Sequence, residues 1–355
     1  MKDVIVIGGG PVGLVAAIHA ARRGLSVTVL EPRGAPIDKA CGEGIMPHGV
    51  RELDAIGVRP PGMPIHGIVY ADERRSVRAP MRSGPGLGVR RTALHLALTE
   101  AARGAGVETL AAASSGVAIH EGRVEVSLGR TGELLRSRYV VAADGLHSPT
   151  RRGLGVDRPV GLRHKRFGLV THARTSEVPT DVEVHWARDC ELYVTPVSED
   201  VVGLAVLSEA RAPLSAKLPE FPSVLARVDR GSVEDRVLGA GPFRQRSARR
   251  VVGGRVLLVG DAAGYVDALT GEGLSLGFAQ ARLAIDSLVS GRVQGYEKAW
   301  RRTVREPTAL TGGVLLASRW GPVRSGIVPA AVALPTVFEA IVNRLAGAPA
   351  HPSAR

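Results

Sequence analysis

A glycine-rich segment near the N-terminus carries residues suited to holding a phosphorylated ligand. Gly8, Gly10 and Gly13 follow a β-branched run, and a helical pattern begins directly after them. Glycines at this spacing permit a tight turn, let a diphosphate approach the backbone, and let the helix pack closely on the strand. Glu31, which ends the next predicted strand, offers a carboxylate to ribose hydroxyls. The segment therefore predicts a dinucleotide site at the start of a helix.

A second candidate ligand site lies towards the other end of the chain, in Arg255–Phe278. Its apolar run, Val256–Val259, has the length and composition of a strand, and Gly260 and Asp261 end it. A loop punctuated by glycines then leads to a helical pattern over Leu274–Leu288. Because the N–H groups at a helix start favour negative or electron-rich groups, this segment also predicts ligand binding.

Hydrophobic periodicity predicts the elements that position these residues. Strands over Asp3–Ile7 and Ser26–Leu30 flank a predicted helix over Leu14–Arg23. A mostly antiparallel sheet is expected from the strand patterns Phe167–Arg174, Asp181–Trp186, Glu191–Pro196 and Val201–Ser208. The C-terminal part is predicted to be helical over Tyr296–Val304 and Leu310–Trp320, followed by the apolar stretch Gly326–Leu345, which prolines interrupt.

Length and charge restrict the class of protein. The chain has 355 residues, of which 45% are hydrophobic, enough for two domains or one large interrupted domain. A formal net charge of +12 suits nucleic acid or a membrane surface in general. The arginines are scattered, however, and the aromatic–basic arrays of nucleic-acid modules are missing, so nucleic-acid binding is not expected.

The cysteines and the apolar runs bear on compartment and membrane. Two cysteines without a CxxC spacing argue against a disulfide framework or a metal site, and a reducing cytoplasm fits them. No uninterrupted apolar run reaches the roughly 20 residues of a membrane span. Gly326–Leu345 is expected to close a cavity, to touch a membrane surface, or simply to pack against a sheet.

Three motifs stand in order along the chain: GGGPVG with Glu31, AADGLHSPTRR over Ala142–Arg152, and VGDAAGYVDALTGEGL over Val259–Leu274. Together they make the chain up to about Val304 resemble flavoprotein monooxygenases of the para-hydroxybenzoate hydroxylase type and their relatives, the geranylgeranyl reductases. The resemblance implies an α/β fold with a Rossmann-like FAD-binding domain of the glutathione-reductase type. It also implies an inserted, mostly antiparallel β-sheet substrate domain and C-terminal helices, with FAD as cofactor and NAD(P)H as a transient reductant.

The resemblance assigns roles to individual residues. Gly8, Gly10 and Gly13 would hold the FAD diphosphate and Glu31 the adenosine ribose, with Arg33 near the adenosine. The other assigned positions are Arg91 at the diphosphate, Asp144 in the Asp-Gly motif for FAD and NAD(P)H, Asp261 at the ribityl O3, and Gly271 and Gly273 beside the isoalloxazine.

The third motif departs from the hydroxylase pattern at three positions. Gly264, Ala268 and Ser275 stand where histidine, proline and asparagine are usual. Gly264 and the GEG sequence resemble the reductases instead, although these also keep the proline that Ala268 replaces.

Two residues are candidates for the substrate side. Cys41 lies in KACG, which resembles the Cys-Gly segment of the reductases, so it would shape or protonate the substrate; the alternative is a small buried residue chosen for its size. Tyr193 lies in ELYVTP, which resembles their substrate strand, and is expected either to line the substrate cavity or only to pack in the sheet. Val194 stands where an aromatic residue is usual, and Glu43 is expected to be solvated.

We predict three parts in the chain. The FAD-binding domain comprises residues 1–65, 86–157 and 248–304, the substrate-binding sheet domain comprises 66–85 and 158–247, and a helical segment covers 305–355.

The predicted function is that of an FAD-dependent oxidoreductase acting on a hydrophobic small molecule. An NAD(P)H-dependent monooxygenase that hydroxylates an aromatic or polyketide-type compound of secondary metabolism is slightly favoured over a geranylgeranyl-reductase-like ene-reductase. A flavoprotein accessory factor that modifies a protein partner is the alternative of another class. A halogenase is disfavoured because the segment Gly-x-Trp-x-Trp-x-Ile-Pro is absent from the sequence.

Overall fold

The computed structural model describes residues 1–129, 131–159, 165–269, 271–319 and 321–347. The helices are α1 (Pro11–Arg22), α2 (Pro47–Ala55), α3 (Arg91–Gly104), α4 (Pro149–Gly153), α5 (Leu214–Lys217), α6 (Pro222–Leu225), α7 (Gly273–Val289), α8 (Gly295–Arg319), α9 (Gly321–Arg324), α10 (Ile327–Ala333) and α11 (Pro335–Ala346). The strands are β1 (Lys2–Ile7), β2 (Val27–Leu30), β3 (Gly44–Ile45), β4 (Met63–Ile65), β5 (Gly67–Ala71), β6 (Ser76–Pro80), β7 (Gly86–Gly88), β8 (Glu108–Leu110), β9 (Ser114–Ile119), β10 (Val124–Leu128), β11 (Leu134–Ala142), β12 (Asp157–Arg158), β13 (Phe167–Arg174), β14 (Val182–Trp186), β15 (Cys190–Pro196), β16 (Val201–Ser208), β17 (Leu238–Ala240), β18 (Gln245–Ser247), β19 (Val251–Val252), β20 (Val256–Leu258) and β21 (Gly264–Tyr265).

An eight-stranded sheet brings the two glycine-rich motifs to the same edge. Its main path is β19-β20-β11-β1-β2-β8, and β20, β11, β1, β2 and β8 run parallel to one another. Off this path, β10 pairs with β11 and β9 pairs with β10. The side chains of Val4, Ile5 and Val6 are fully buried because α1 and its neighbours cover one face of the parallel strands, while β9 and β10 lie over the other face. Since the carboxyl ends of parallel strands meet at one edge, the loops after β1, β11 and β20 lie close together.

A seven-stranded sheet forms the second layer, in the order β17-β13-β16-β15-β14-β5-β6. All its pairings are antiparallel except the one between β14 and β5. Its strands come from residues 67–80 and 167–240, within the segments predicted for a substrate domain. The mixed α/β architecture with an antiparallel sheet and C-terminal helices is thereby confirmed, whereas the domain boundaries stay a prediction.

The C-terminal helices differ from the predicted ones. The single helix α8 stands where two were predicted, and it continues through Pro307. Thr311 and Leu315 on one face of α8 are buried, so tertiary packing outweighs the cost of a proline in a helix. The predicted helix end, Trp320, and residues 348–355 of the predicted C-terminal segment lie outside the described residues.

Within the described ranges, no single helix is both long and apolar enough to cross a membrane. The pair α10 and α11 meets that length and composition only when taken together, and the two helices are bent by 106° at their junction.

The buried side chain of Arg151 joins the second and third motifs. Its Nη1 donates to the carbonyl oxygens of Asp261 at 3.2 Å and Ala262 at 3.1 Å, and its Nη2 donates to that of Leu146 at 3.0 Å. Its Nε donates to Asp157 Oδ1 at 2.6 Å. The planar guanidinium has enough donors to satisfy these acceptors together, which lysine cannot do. Arg151 therefore fixes the loop after β11 to the loop after β20.

We expect Arg151→Met to lower the free energy of unfolding by about 3 kcal/mol or more, because it leaves buried carbonyl oxygens without donors. The neighbouring Arg152 is exposed, so Arg152→Met is the matched control and should change the free energy by no more than about 0.5 kcal/mol. Urea unfolding followed by circular dichroism measures both values. Equal stability of the two variants would contradict the role given to Arg151.

Candidate functional site

One cavity of about 710 Å³ runs between the two sheets and under the C-terminal helices. Its walls contain the predicted site residues Gly8, Gly10, Glu31, Arg33, Cys41, Arg91, Asp144, Tyr193, Asp261, Gly271 and Gly273. Gly13 is the predicted site residue that is not among the lining residues in the described part of the chain. The fold thus gathers positions that are up to 265 residues apart, from Gly8 to Gly273, around one space.

The glycines of the first motif allow a close approach of strand, turn and helix. Gly8 has a φ of +104°, a value that favours glycine. A Cβ on Gly13 would lie 1.9 Å from the carbonyl oxygen of Gly8, so any side chain there would force α1 away from the turn. A Cβ on Gly10 would instead point at Arg91, 3.8 Å from its Nη2. The turn therefore presents bare backbone to the cavity beside a guanidinium.

Arg91 begins α3 and is buried, with 7% of its surface exposed. Its Nη1 has no hydrogen-bond partner among the residues that the structure describes. Burial lowers the pKa of Arg91, whereas Cys41 and Asp261 nearby raise it. A buried guanidinium N–H without an acceptor is costly, so an anion beside Gly10 would stabilise it. This arrangement fits the diphosphate of a dinucleotide.

Glu31 is hydrogen-bonded to the backbone of the first motif. Its Oε2 accepts a hydrogen bond from the N–H of Gly9 at 3.0 Å, and its Oε1 accepts from Arg33 Nε at 2.8 Å. Burial opposes ionisation of Glu31, but the hydrogen bonds from Arg33 and Gly9 outweigh it, so its pKa lies below the ordinary value. An ionised, buried carboxylate at the end of β2 suits recognition of ribose hydroxyls.

His95 is a supporting residue that the sequence analysis missed. It follows Arg91 by four positions on α3, so both side chains lie on the same face of the helix. Its Nε2 lies 2.9 Å from the carbonyl oxygen of Gly9, and burial lowers its pKa, so the neutral ring donates there. The i, i+4 spacing of Arg91 and His95 was the available signal.

Two of the three positions at which the third motif departs from the hydroxylase pattern have specific structural surroundings. Gly264 has a φ of +126°, which would strain the histidine that is usual there. The Oγ of Ser275 accepts a hydrogen bond from the N–H of Met46 at 3.1 Å and so ties α7 to the start of α2. Helix α2 was not predicted, because the glycine-rich stretch before it hides the apolar positions Ile45 and Met46, which are buried.

The carboxylates of the second and third motifs have different surroundings. Asp144 accepts hydrogen bonds from Ser148 Oγ at 2.5 Å and from the N–H of Thr150 at 2.9 Å, so it shapes its own loop as well as lining the cavity. Burial raises the pKa of Asp261, against the opposing effect of Lys39. Asp261 faces the cavity at the start of the glycine loop.

Cys41 lines the cavity, and a buried chain of polar side chains begins two residues later, at Glu43. The N–H of Glu43 donates to its Sγ at 3.4 Å, and burial raises the pKa of the thiol, so the group is protonated at neutral pH. The prediction that Glu43 is solvated is wrong, because Glu43 is 3% exposed. Its Oε2 lies 2.7 Å from His172 Nε2, and His172 Nδ1 lies 3.2 Å from Glu234 Oε2, whose side chain reaches solvent.

The other carboxylate oxygen of Glu43 explains why this residue is buried. Oε1 accepts the backbone N–H of Arg91 at 2.7 Å, at the first turn of α3. A carboxylate is stabilised by the N–H groups at a helix start, and Glu43 adopts a φ of +58° to reach it. The backbone strain therefore serves to connect the Cys41 segment to the helix that carries Arg91.

Tyr193 lines the cavity and also joins two of the elements that form its wall. Its hydroxyl donates to the carbonyl oxygen of Leu269 at 2.6 Å, which joins β15 to the glycine loop of the third motif. Val194 belongs to the apolar cluster formed with Leu192 and Val202 and is not among the lining residues that the structure describes. Because side chains alternate along a strand, an aromatic residue at position 194 would not reach the cavity.

The half of the cavity remote from the first motif is apolar. Strands of the seven-stranded sheet form its floor, and α8, α10 and α11 form its roof. The apolar lining residues there are Ile68, Tyr70, Val170, Val184, Leu207, Phe243, Val314, Ala317, Ile327, Ala331, Phe338, Ile341 and Leu345. Polar groups lie mainly at the glycine-rich end, so the cavity is divided into a polar and an apolar half.

Comparison with known proteins identifies the family to which the chain belongs. The sequence profile of the family described as FAD binding domain matches residues 1–290. The chain is 32% identical over 326 residues to digeranylgeranylglycerophospholipid reductase 2 of Methanopyrus kandleri, covering 82% of this chain and 76% of that protein. It is 29% identical over 334 residues to menaquinone reductase of Mycolicibacterium smegmatis, covering 86% of this chain and 80% of that protein.

Solved structures with lower identity share the fold. Halogenase PltM in complex with phloroglucinol and FAD has a TM-score of 0.77 at 18% identity, with 97% of this chain and 82% of that chain covered. The flavin-dependent brominase Bmp2 has a TM-score of 0.79 at 17% identity, with 97% and 93% covered. The predicted superfamily is therefore confirmed: the chain belongs to the FAD-binding-domain family of flavoproteins that includes these reductases.

Proposed function

We propose that the protein is an FAD-dependent reductase that saturates a carbon–carbon double bond in a long, apolar, isoprenoid-type molecule. The observation that carries this proposal is the single cavity in which the glycine-rich polar half opens directly into an apolar half. A cofactor in the polar half would meet an apolar substrate end-on, with little room for water between them.

The residues of the polar half fit FAD. In this proposal, Gly8, Gly10 and Arg91 hold the diphosphate and Glu31 the ribose, with Arg33 beside the adenosine. Asp144 lies beside the cofactor loop, Asp261 binds the ribityl chain, and the backbone from Gly271 to Gly273 lies at the ring, where the start of α7 stabilises negative charge. FAD bound there supplies two-electron redox chemistry, and we infer NAD(P)H as its reductant.

The apolar half and the named relatives support the substrate class. One relative is named for a digeranylgeranyl lipid and another for menaquinone, and a chamber roofed by Phe338, Ile341 and Leu345 suits a chain of that kind. Burying isoprenoid methyl and methylene groups contributes about 25 cal/mol per Å² of apolar surface. Binding energy along the chain would therefore fix the position of the reacting double bond.

Reduction of an alkene also requires a proton at the second carbon. The Cys41 thiol is protonated and faces the cavity, so we assign it as the proton donor. In this proposal, the thiolate left behind accepts a hydrogen bond from the backbone N–H of Glu43 and regains its proton from water that enters the cavity after the product leaves.

Hydroxylation, which the sequence slightly favours, is the second candidate because a dry cavity beside a flavin also suits oxygen transfer. The backbone at Gly264 weighs against hydroxylation. Its φ of +126° would strain the histidine that is usual at this position in the hydroxylases. The reductase relatives weigh in the same direction.

The choice is tested with the FAD-loaded protein, NADPH and a panel of phenols and polyprenyl compounds. We expect NADPH oxidation without oxygen and a product heavier than the substrate by two hydrogen atoms, formed from a polyprenyl compound. Oxygen uptake with a product heavier by one oxygen atom would establish the monooxygenase instead. Turnover that appears only with added cell protein would support an accessory factor.

Glu31→Ala is expected to weaken FAD binding by roughly tenfold or more, because a charged hydrogen-bond acceptor is lost. Glu125→Ala is the matched control, since Glu125 also pairs with arginines, Arg123 and Arg136, on a strand outside the cavity lining. Titration of the apoproteins with FAD, followed by flavin fluorescence, gives both affinities. Unchanged affinity in Glu31→Ala would remove the assignment of Glu31 to the ribose.

Cys41→Ala should slow alkene reduction on the order of 10²-fold, a typical contribution of a positioned acid, while NADPH still reduces the flavin at the wild-type rate. Cys190→Ala is the control, because Cys190 is also a free cysteine but is buried outside the cavity lining. Stopped-flow absorbance separates flavin reduction from product formation. If Cys41→Ala turned over as fast as Cys190→Ala, Cys41 would be only a packing residue.

A further inference from the structure

The junction of α10 and α11 projects an uncharged surface into solvent. All six residues from 332 to 337, with the sequence VALPTV, are exposed, and we call this segment the elbow. Leu334 is 57% exposed and Val337 is 50% exposed. The sequence from Ser325 to Phe338 contains no charged residue. Exposed apolar side chains are common singly, but a contiguous run of them marks an interaction site.

The elbow also borders an opening of the cavity. Leu334 and Val337 belong to the cavity lining, although both are exposed, so the apolar half opens to the outside between them. On either side, Val328 in α10 and Phe338 in α11 are buried against the rest of the protein. The bend of 106° therefore keeps the helices seated over the cavity and turns only their junction outward.

We propose that the elbow inserts into the surface of a lipid bilayer and so opens the cavity directly to the apolar region of the membrane. Short helical segments with apolar exposed residues bind at the boundary of headgroups and acyl chains. The net charge of +12 adds attraction to anionic lipids. Two short helices at this angle lie on a membrane rather than span it.

A second copy of the chain fits the elbow less well. A stable protein interface uses about 20–30 residues on each side, and the elbow offers six, on a convex bend. A bilayer needs no complementary shape, so a small apolar projection suffices. The inference that a substrate enters here rests on the proposed isoprenoid-type substrate, which would otherwise have to cross water between membrane and cavity.

The test uses FAD-loaded protein and sedimentation with vesicles of equimolar phosphatidylcholine and phosphatidylglycerol. The variant Leu334→Glu/Val337→Glu changes the elbow, and Leu134→Glu/Val289→Glu is the matched control. The control residues have the same types and similar exposure, 48% and 51%, and lie outside the cavity lining. Both variants add the same charge, so a difference between them reports position alone.

We expect the wild type and the control to bind the vesicles and the elbow variant to bind on the order of tenfold or more weakly, because two apolar side chains no longer insert. An unchanged flavin spectrum and melting temperature show that the elbow variant is folded. Equal binding by all proteins, or no binding by the wild type, overturns the proposal. A wild-type dimer that the elbow variant converts to a monomer, measured by analytical ultracentrifugation, assigns the elbow to a second copy and also overturns it.

Vesicle sedimentation is measured without substrate turnover, so it tests the membrane contact separately from the proposed reaction. Vesicle binding through the elbow without alkene reduction would leave the membrane contact standing and remove the proposed reductase. Alkene reduction by a protein that does not bind vesicles would support the proposed reductase and remove the membrane contact.

Discussion

The cavity depends on the hydrogen bonds that the buried guanidinium of Arg151 donates. The loops after β11 and β20 carry motifs that are more than a hundred residues apart, and the carbonyl oxygens of both loops accept hydrogen bonds from this one side chain. Without a donor, those oxygens would be buried without partners, which the fold could avoid only by separating the loops. Arg151 thus keeps Asp144 and Asp261 at the same end of one cavity.

A second buried network connects the glycine loop of the third motif to the roof. Asp267 Oδ1 accepts from Arg166 Nη1 at 2.9 Å, and Arg166 also pairs with Glu191. Glu191 Oε2 in turn accepts from Arg324 Nη2 at 2.8 Å, in the short helix α9. Burial raises the pKa of Asp267 to about 6, although Arg166 acts in the opposite direction. The cofactor loop, the substrate sheet and the C-terminal helices are therefore linked through two arginines and two carboxylates.

The sequence was sufficient for the fold class and for many of the residues that line the polar half. Glycine spacing and strand–helix order are local patterns, so Gly8, Glu31 and Asp261 were identified without a structure. Their roles towards FAD still stand as proposals. What the sequence did not reveal depends on long-range contacts. Glu43 looks like a surface residue until Arg91 and His172 are seen to bond to its carboxylate, and Pro307 looks like a helix end until packing holds α8 continuous.

In the proposed arrangement, one cavity holds the cofactor at its glycine-rich end and an apolar chain under α10 and α11. A crystal structure of the protein with FAD and a geranylgeranyl compound measures this directly. We expect the diphosphate beside Gly10 and Arg91, the flavin ring near Cys41, and the polyprenyl chain running past Phe338 towards the elbow. A polyprenyl chain bound elsewhere, or a flavin ring that blocks the apolar half, would contradict it.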